Sequence, residues 1–380
     1  MPDTEATTKP VLHLRYLDSV RGIAALMVVI YHFINWDYKE KLYMQVTSIV
    51  FNGADAVSFF FVLSGFVLSY KYLVLKHELD IRKFYINRFF RLWPAFFVTV
   101  IINALYHQRE FMSVQRLLEV FVYNKHRFWE EAALIRPASL YYVPGWTLVV
   151  ELVVSFFVPF VVVLAHKNPK YVWWLAGFFF FFASGIIGLG MFINHFVYGV
   201  LIAAYYLFIT SDKFKETKIF KFRYLVLAAA FILFSARQIE YIFGAHWFYD
   251  EVIYKYLGYD VYYFTGIGSF IMLVFIIQSR SAQKLLEHRI LRFFGKISYG
   301  IYLMHWLVVT WIFVNRQWLS SYFPNEKTAF VCLLVACLVV TILLAYITYH
   351  AIELPFIKYG KRLTSRMKPS IIVAPEEPKG

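Results

Sequence analysis

Two ionisable side chains, Arg21 and His32, lie in one apolar stretch that also carries Asp18, residues 16–36, YLDSVRGIAALMVVIYHFINW. They are eleven residues apart. On a helix turning about 100° per residue they return to within roughly 20° of one line, separated by a rise of about 16 Å. A guanidinium at one end of such a face and a proton acceptor at the other could grip an elongated anionic ligand. The stretch is long enough to cross a bilayer, where ionisable groups are costly and usually serve a function. The plainer reading makes Arg21 a snorkelling residue at the membrane surface and His32 a packed core histidine.

Other polar residues interrupt apolar runs in the same way. Glu151 falls in YYVPGWTLVVELVV, residues 141–154, about a turn and a half beyond Trp146, with no basic residue within a turn. An unpaired carboxylate there is expensive, so it needs a proton or a partner from another helix. His32 is expected at a similar depth, and a Glu151–His32 contact would join a base to its orienting group. In RKFYINRFFRLWP, residues 82–94, Arg88 and Arg91 are three apart and neighbours on one helical face. Paired guanidinium groups suit phosphate, and equally suit anchoring at a cytoplasmic surface. Pro94 fits the first turn of the span that follows.

Asp55 opens a second apolar run, where its charge suits a helix N-terminus, and Ser64-Gly65 within that run permits close helix approach. His305 sits in the middle of ISYGIYLMHWLVVTW, residues 297–311, as a packing residue or a functional one. Glu353 with Pro355 closes the last run and suits a helix end. Neither His195, His246 nor His350 has a comparable setting. No histidine–carboxylate spacing of metal-site type occurs, so no metal is expected. Cys332 and Cys337 are five apart in one apolar segment, neither a metal spacing nor a bridge, and read as lipid-facing or core filler.

The elements that carry these residues are set by composition. The 380 residues are 60% hydrophobic and 16% charged, with a mean hydropathy of +0.58, against roughly 45–50% apolar and 25% charged in soluble proteins. An all-α, polytopic membrane protein follows, with about ten transmembrane helices in one bundle. The spans are expected at 16–36, 55–75, 92–107, 146–165, 171–189, 191–210, 222–242, 258–278, 296–315 and 328–350. With a cytoplasmic N-terminus, 27 of the 38 Lys and Arg fall on the cytoplasmic side, the orientation that positive-inside bias selects. Both termini are then cytoplasmic. The net charge of +14 accordingly reads as topology and contact with lipid headgroups, and no motif suggests nucleic acid. A cleavable signal peptide fits poorly, because Ala54-Asp55-Ala56 lies too far beyond the first apolar run. Residues 1–365 form one membrane domain and 366–380, Pro-rich and charged, a disordered cytoplasmic tail.

In this order, the motifs resemble the acyltransferase-3 family of integral membrane acyltransferases. The matching residues are Leu17-Asp18, Arg21-Gly22 and His32; Asp55 with the FFFVLSGF run; Arg88, Arg91 and Pro94; Trp146 and Glu151; Ser298-Tyr299, Tyr302-Leu303 and His305; and Glu353 with Pro355. The likeness extends from about residue 14 to 358. Many members carry adjacent arginines where this chain has Asn87-Arg88.

The resemblance implies transfer of an acyl group, usually acetyl, from coenzyme A to a hydroxyl of a cell-surface carbohydrate or its lipid-linked precursor, at the plasma (inner) membrane. On that reading Arg21, Arg88 and Arg91 hold the phosphates of acetyl-CoA. His32 and Glu151 are the catalytic pair, with direct transfer and an acyl-histidine relay both open. Asp55, Trp146 and His305 are candidate substrate contacts. The carbohydrate acceptor and membrane lipids are the expected partners, and the oligomeric state is open. Aromatic residues in the outer loops (Trp129, Tyr141, Tyr142, Trp247, Tyr249) could stack on sugar rings or simply collect at the interface. The competing function is a transporter or flippase for a glycan or acyl carrier, which would use the same buried charges as a polar path.

Overall fold

The computed structural model describes residues 14–37, 42–106, 114–135, 141–182, 190–244, 262–368 and 372–373. Apart from one short two-stranded pairing, Leu79–Asp80 against Ile372–Val373, the regular structure is helical. Two residues of the expected tail are thus paired back onto the bundle, while 369–371 and 374–380 lie outside the described residues. So do Trp247 and Tyr249.

Among the described residues four helical segments are long and apolar enough to span a membrane: Arg15–Asn35, Val46–Leu73, Ile81–Tyr106 and Glu326–Ser365. Three bent pairs raise the number to seven if each is one span: Gly145–Ser155 with Val158–Lys167, Tyr262–Gln278 with Arg280–Leu286, and Arg289–Lys296 with Ser298–Val314. The ten uninterrupted spans of the sequence reading are therefore not reached. The expected 191–210 span breaks at Tyr205 into Gly190–Ala204 and Tyr206–Ile209, and 222–242 breaks at Ser235 into Arg223–Phe234 and Ala236–Phe243. Hydropathy registers how apolar a run is but is nearly blind to a break of one residue.

The third span also differs. One 26-residue helix, Ile81–Tyr106, runs from the basic stretch straight through Pro94, so Pro94 is interior rather than in a first turn. Its missing N–H removes the bond that the Phe90 carbonyl would accept. At the C-terminal end, Pro355 follows a π-helical turn, Tyr349–Glu353, that joins Glu326–Thr348 to Leu354–Ser365. The widened turn lets the chain pass a residue that cannot donate to the ladder.

The centre of the bundle is the helix Gly53–Leu73, which packs against Arg15–Asp37, Gly190–Ala204 and Tyr262–Gln278. Asn52 caps it, its Oδ1 accepting from the Asp55 N–H at 3.2 Å. Small residues set the closest crossing. A side chain on Gly65 would run into the Phe196 backbone, and one on Gly199 into the Val62 carbonyl, so Ser64-Gly65 does serve close helix approach. A second such crossing, Gly22 on Gly295, brings Arg15–Asp37 against Arg289–Lys296.

Large apolar side chains such as Trp174, Leu225, Val335 and Leu343 point outward, which a lipid surround accommodates and water would penalise. Cys332 shares this outer surface while Cys337 is fully buried, so the two cysteines take one of the expected roles each.

Replacing Gly199 by Leu should destabilise the detergent-solubilised protein by about 1–3 kcal/mol or more through overpacking. Gly199→Ala should cost less. Thermal unfolding followed by size-exclusion chromatography reads the order of the three proteins.

Candidate active site

Three cavities lie in series along the bundle. The first is a basic vestibule of about 580 Å³, whose lining includes Lys71, Lys83, Asn87, Arg88, Arg91 and Lys361. It shares Val67, Leu68, Arg88 and Arg91 with a narrow waist of about 130 Å³, where Arg21, Ser64, Glu151, Tyr299 and Tyr302 converge. The waist in turn shares Val57, Thr147 and Tyr302 with an outer cavity of about 340 Å³ that contains His32, Trp146, Arg237 and Trp306. Arg21 and His32 thus face neighbouring interior cavities rather than lipid, Arg21 at the waist and His32 in the outer cavity.

Arg21 reaches the waist with its charge partly met. Its Nη1 donates to Asp18 Oδ1 at 2.8 Å, three residues back on the same helix. The partner Glu151 requires comes from the helix Ile81–Tyr106. Arg88 Nη2 donates to Glu151 Oε1 at 2.7 Å, and Ser64 Oγ donates to the same oxygen at 3.3 Å. These contacts overturn the expected Glu151–His32 pair, since no hydrogen bond joins the two. Arg88 is only 7% exposed and committed to this carboxylate, so it is a poor candidate for phosphate. Arg91, one turn on, is exposed where vestibule meets waist. Two groups on one helical face have therefore taken different duties.

The partner of His32 is His305. The rings are stacked with centroids 5.1 Å apart, and His305 Nε2 lies 3.1 Å from His32 Nδ1. His305 is fully buried, its Nδ1 2.6 Å from the Tyr302 carbonyl. A carbonyl only accepts, so Nδ1 carries the His305 proton, and in the neutral ring Nε2 is a lone pair. That lone pair takes the His32 Nδ1–H. His32 Nε2 is then left without a proton, on a ring that lines the outer cavity. The edge of Trp306 holds the same ring from the side, centroids 5.4 Å apart. His305 behind His32 occupies the orienting position expected of Glu151, and it lies outside the cavity lining rather than at a substrate surface.

The remaining expected residues divide. Trp146 lines the outer cavity beside His32. Asp55 is fully buried beneath it, 2.6 Å from Asn52 Nδ2, which fits a helix-start role and not a substrate contact. Tyr141 and Tyr142 are core residues, Tyr142 Oη donating to the Tyr302 carbonyl at 2.7 Å, whereas Trp129 is exposed. His195, which does not line the outer cavity, bonds the carbonyl of Tyr262, which does, through Nε2 at 2.9 Å. No cluster of metal-ligating side chains occurs among the described residues.

Several contributors were not singled out from sequence. Glu131 is buried and accepts the backbone N–H groups of Tyr141 and Tyr142 at 3.0 and 2.7 Å. It ties down the segment leading to Pro144, whose carbonyl accepts from Thr147 Oγ1 at 2.9 Å and from Tyr302 Oη at 3.1 Å. Arg237 enters the outer cavity with its guanidinium 5.3 Å from the Tyr262 ring centroid. The polar cluster Arg237-Gln238 with Glu240 inside the expected 222–242 span was the available signal for it. Glu131 had none, because one carboxylate among the charged residues of a loop is unremarkable in sequence.

The profile of the acyltransferase-3 family, described as an acyltransferase domain, matches residues 14–350. This chain belongs to that family. A protein of Staphylococcus aureus strain COL, provisionally named an O-acetyltransferase, is 24% identical over 383 residues, covering 93% of this chain and 58% of its own length. The counterpart in strain MSSA476 matches equally. A protein of Acidianus two-tailed virus, provisionally named an acetyltransferase, is 24% identical over 313 residues, 76% of this chain and 81% of its own. This chain spans under three fifths of the length of the staphylococcal relatives. No solved structure matches it.

Removing Arg88 strands the Glu151 carboxylate. Because the Glu151 side chain is 22% exposed, Arg88→Gln should cost the lower part of the ~3–5 kcal/mol typical of broken buried pairs. Adding Glu151→Gln should restore much of that stability. Thermal unfolding of the three variants in detergent measures the coupling.

Proposed function

We propose that this acyltransferase moves an acetyl or other short acyl group from acyl-CoA to a hydroxyl of a cell-surface carbohydrate or its lipid-linked precursor. The observation that carries the reading is the succession of three neighbouring cavities, which offers a polyanionic donor a basic entrance and sets a histidine-lined cavity beyond it. The basic vestibule faces the cytoplasm of the plasma membrane on this reading, with both chain termini on the same side. The pantetheine arm threads the waist past Arg21. The rise of about 16 Å from Arg21 to His32 suits such an arm.

In the outer cavity His32 Nε2 takes the proton of the acceptor hydroxyl. The oxygen attacks the thioester carbonyl, the carbon–sulfur bond breaks, and the proton passes from His32 to the departing thiolate to give free coenzyme A. His305 is a positioning residue: it accepts the Nδ1–H of His32 and keeps Nε2 available. Arg88 and Glu151 brace the wall of the path. Trp146 and Trp306 supply aromatic surface against which a sugar ring can stack.

Purified protein, labelled acetyl-CoA and an extract of envelope glycans test the reading. Label should appear on carbohydrate, and label that only crosses a vesicle membrane unchanged would support transport instead. His32→Ala should abolish transfer while the protein still accumulates in the membrane. Activity near wild type in that variant removes His32 from the mechanism. His305→Phe should lower kcat by about 10²–10⁴-fold, the scale of losing an orienting partner of a catalytic base, with the KM for acetyl-CoA little changed.

A further inference from the structure

A further hollow, of about 1050 Å³, opens where the start of Arg223–Phe234 meets the end of Tyr262–Gln278. It shares no lining residue with the vestibule, the waist or the outer cavity. Its rim is basic. Lys215, Arg223 and Arg280 line it with one carboxylate, Asp212, and Lys215 Nζ donates to that carboxylate at 2.6 Å. Arg280 acts on Asp212 only through space.

The two guanidinium groups are held in place by the fold. Arg223 lies against two aromatic rings, 4.9 Å from the Phe220 centroid and 4.6 Å from that of Tyr224. Its hydrogen bonds to the Phe220 carbonyl and Tyr224 Oη are long, 3.4 and 3.5 Å. Arg280 reaches the rim because the chain turns through 91° between Tyr262–Gln278 and Arg280–Leu286. Ser279 fixes that turn, its Oγ accepting the Ala282 N–H at 3.2 Å. Neither arginine pairs with a carboxylate among the described residues, and two unneutralised guanidinium groups at one rim favour an anion.

The wall beneath the rim says which anion. It is apolar, formed by Leu227, Met272, Phe275 and Ile276. Leu207, Phe222 and Leu225 are more than 60% exposed on the neighbouring surface, which sets the rim against lipid rather than water. The segments that build it, 213–223 and 280–296, carry five Lys and Arg each, as a surface facing anionic headgroups does. A free phosphate would use the rim and leave the wall bare; a phospholipid uses both.

We propose that this hollow is a binding site for an anionic phospholipid, its phosphodiester between Arg223 and Arg280 and an acyl chain along Leu227, Met272, Phe275 and Ile276. The positive rim disfavours the ammonium of a zwitterionic headgroup. The site is independent of acyl transfer and stands or falls apart from it.

Native mass spectrometry of the full-length protein, titrated in nonionic detergent with phosphatidylglycerol or phosphatidylcholine of the same chains, tests the site. Wild type should retain phosphatidylglycerol at least about tenfold more tightly, the scale of one charge-assisted contact. In Arg223→Gln/Arg280→Gln the preference should fall to within about twofold. Arg280→Gln alone, at an exposed position, should already lower it severalfold, so the result does not hang on the double variant folding. Lys218→Gln/Lys221→Gln removes the same charge from exposed positions outside the lining and should leave the preference intact.

A wild type without preference overturns the proposal. So does an equal loss in the lysine pair, which would make the attraction a property of the whole basic surface. Glycerol 3-phosphate that displaces phosphatidylglycerol at equal concentration would overturn it too, because the apolar wall would then contribute nothing.

Discussion

Every polar group carried into a bilayer-spanning bundle must find its counterpart inside the bundle, because lipid offers none. That constraint shapes this protein more than any single motif. Arg88 meets Glu151 and ties Ile81–Tyr106 to Gly145–Ser155. His32 meets His305 and ties Arg15–Asp37 to Ser298–Val314. Glu131 takes two backbone N–H groups and holds the approach to Pro144. Each such contact closes only when two helices stand at the right height and rotation, so the polar groups specify the arrangement that the apolar surfaces merely permit.

The same economy separates structural charges from available ones. Charges that found partners brace walls. Lys71, Arg91 and Lys361, whose side chains make no hydrogen bond or ion pair with the described residues, line the basic vestibule, and the outer cavity holds His32 bonded to His305. Close crossings at Gly22 on Gly295 and at Gly53 on Val28 and Tyr31 leave no slack in the helix that carries Arg21 and His32. Tight packing of this kind holds the polar groups that line the cavities in one geometry.

Much was legible beforehand. The helical membrane class follows from composition, and the Arg21–His32 face follows from helical period alone. The need of Glu151 for a partner on another helix follows from the cost of burying a carboxylate. Pro94 was misread because a proline entering an apolar run more often starts a helix than sits within one, and here the basic and apolar halves are one continuous helix. The count of about ten spans is not reached among the described residues for a related reason. A run such as 191–210 stays apolar on both sides of Tyr205, yet the helix breaks there.

The choice of partner was not in the sequence. The order of residues says that Glu151 needs a cation or a proton and that His32 needs something to orient it. It says nothing about which of several candidates, tens to hundreds of positions away, arrives at the same depth facing the same way. That is decided by helix tilt, by the crossings that small residues allow and by the bends at Gln278–Arg280 and Lys296–Ser298. A sequence by itself determines the periodicity of a helix and the price of burying each group. Only the packed bundle decided that Arg88 rather than His32 answers Glu151, and that His305 stands behind His32, because both are facts of relative helix height that one-dimensional spacing does not encode.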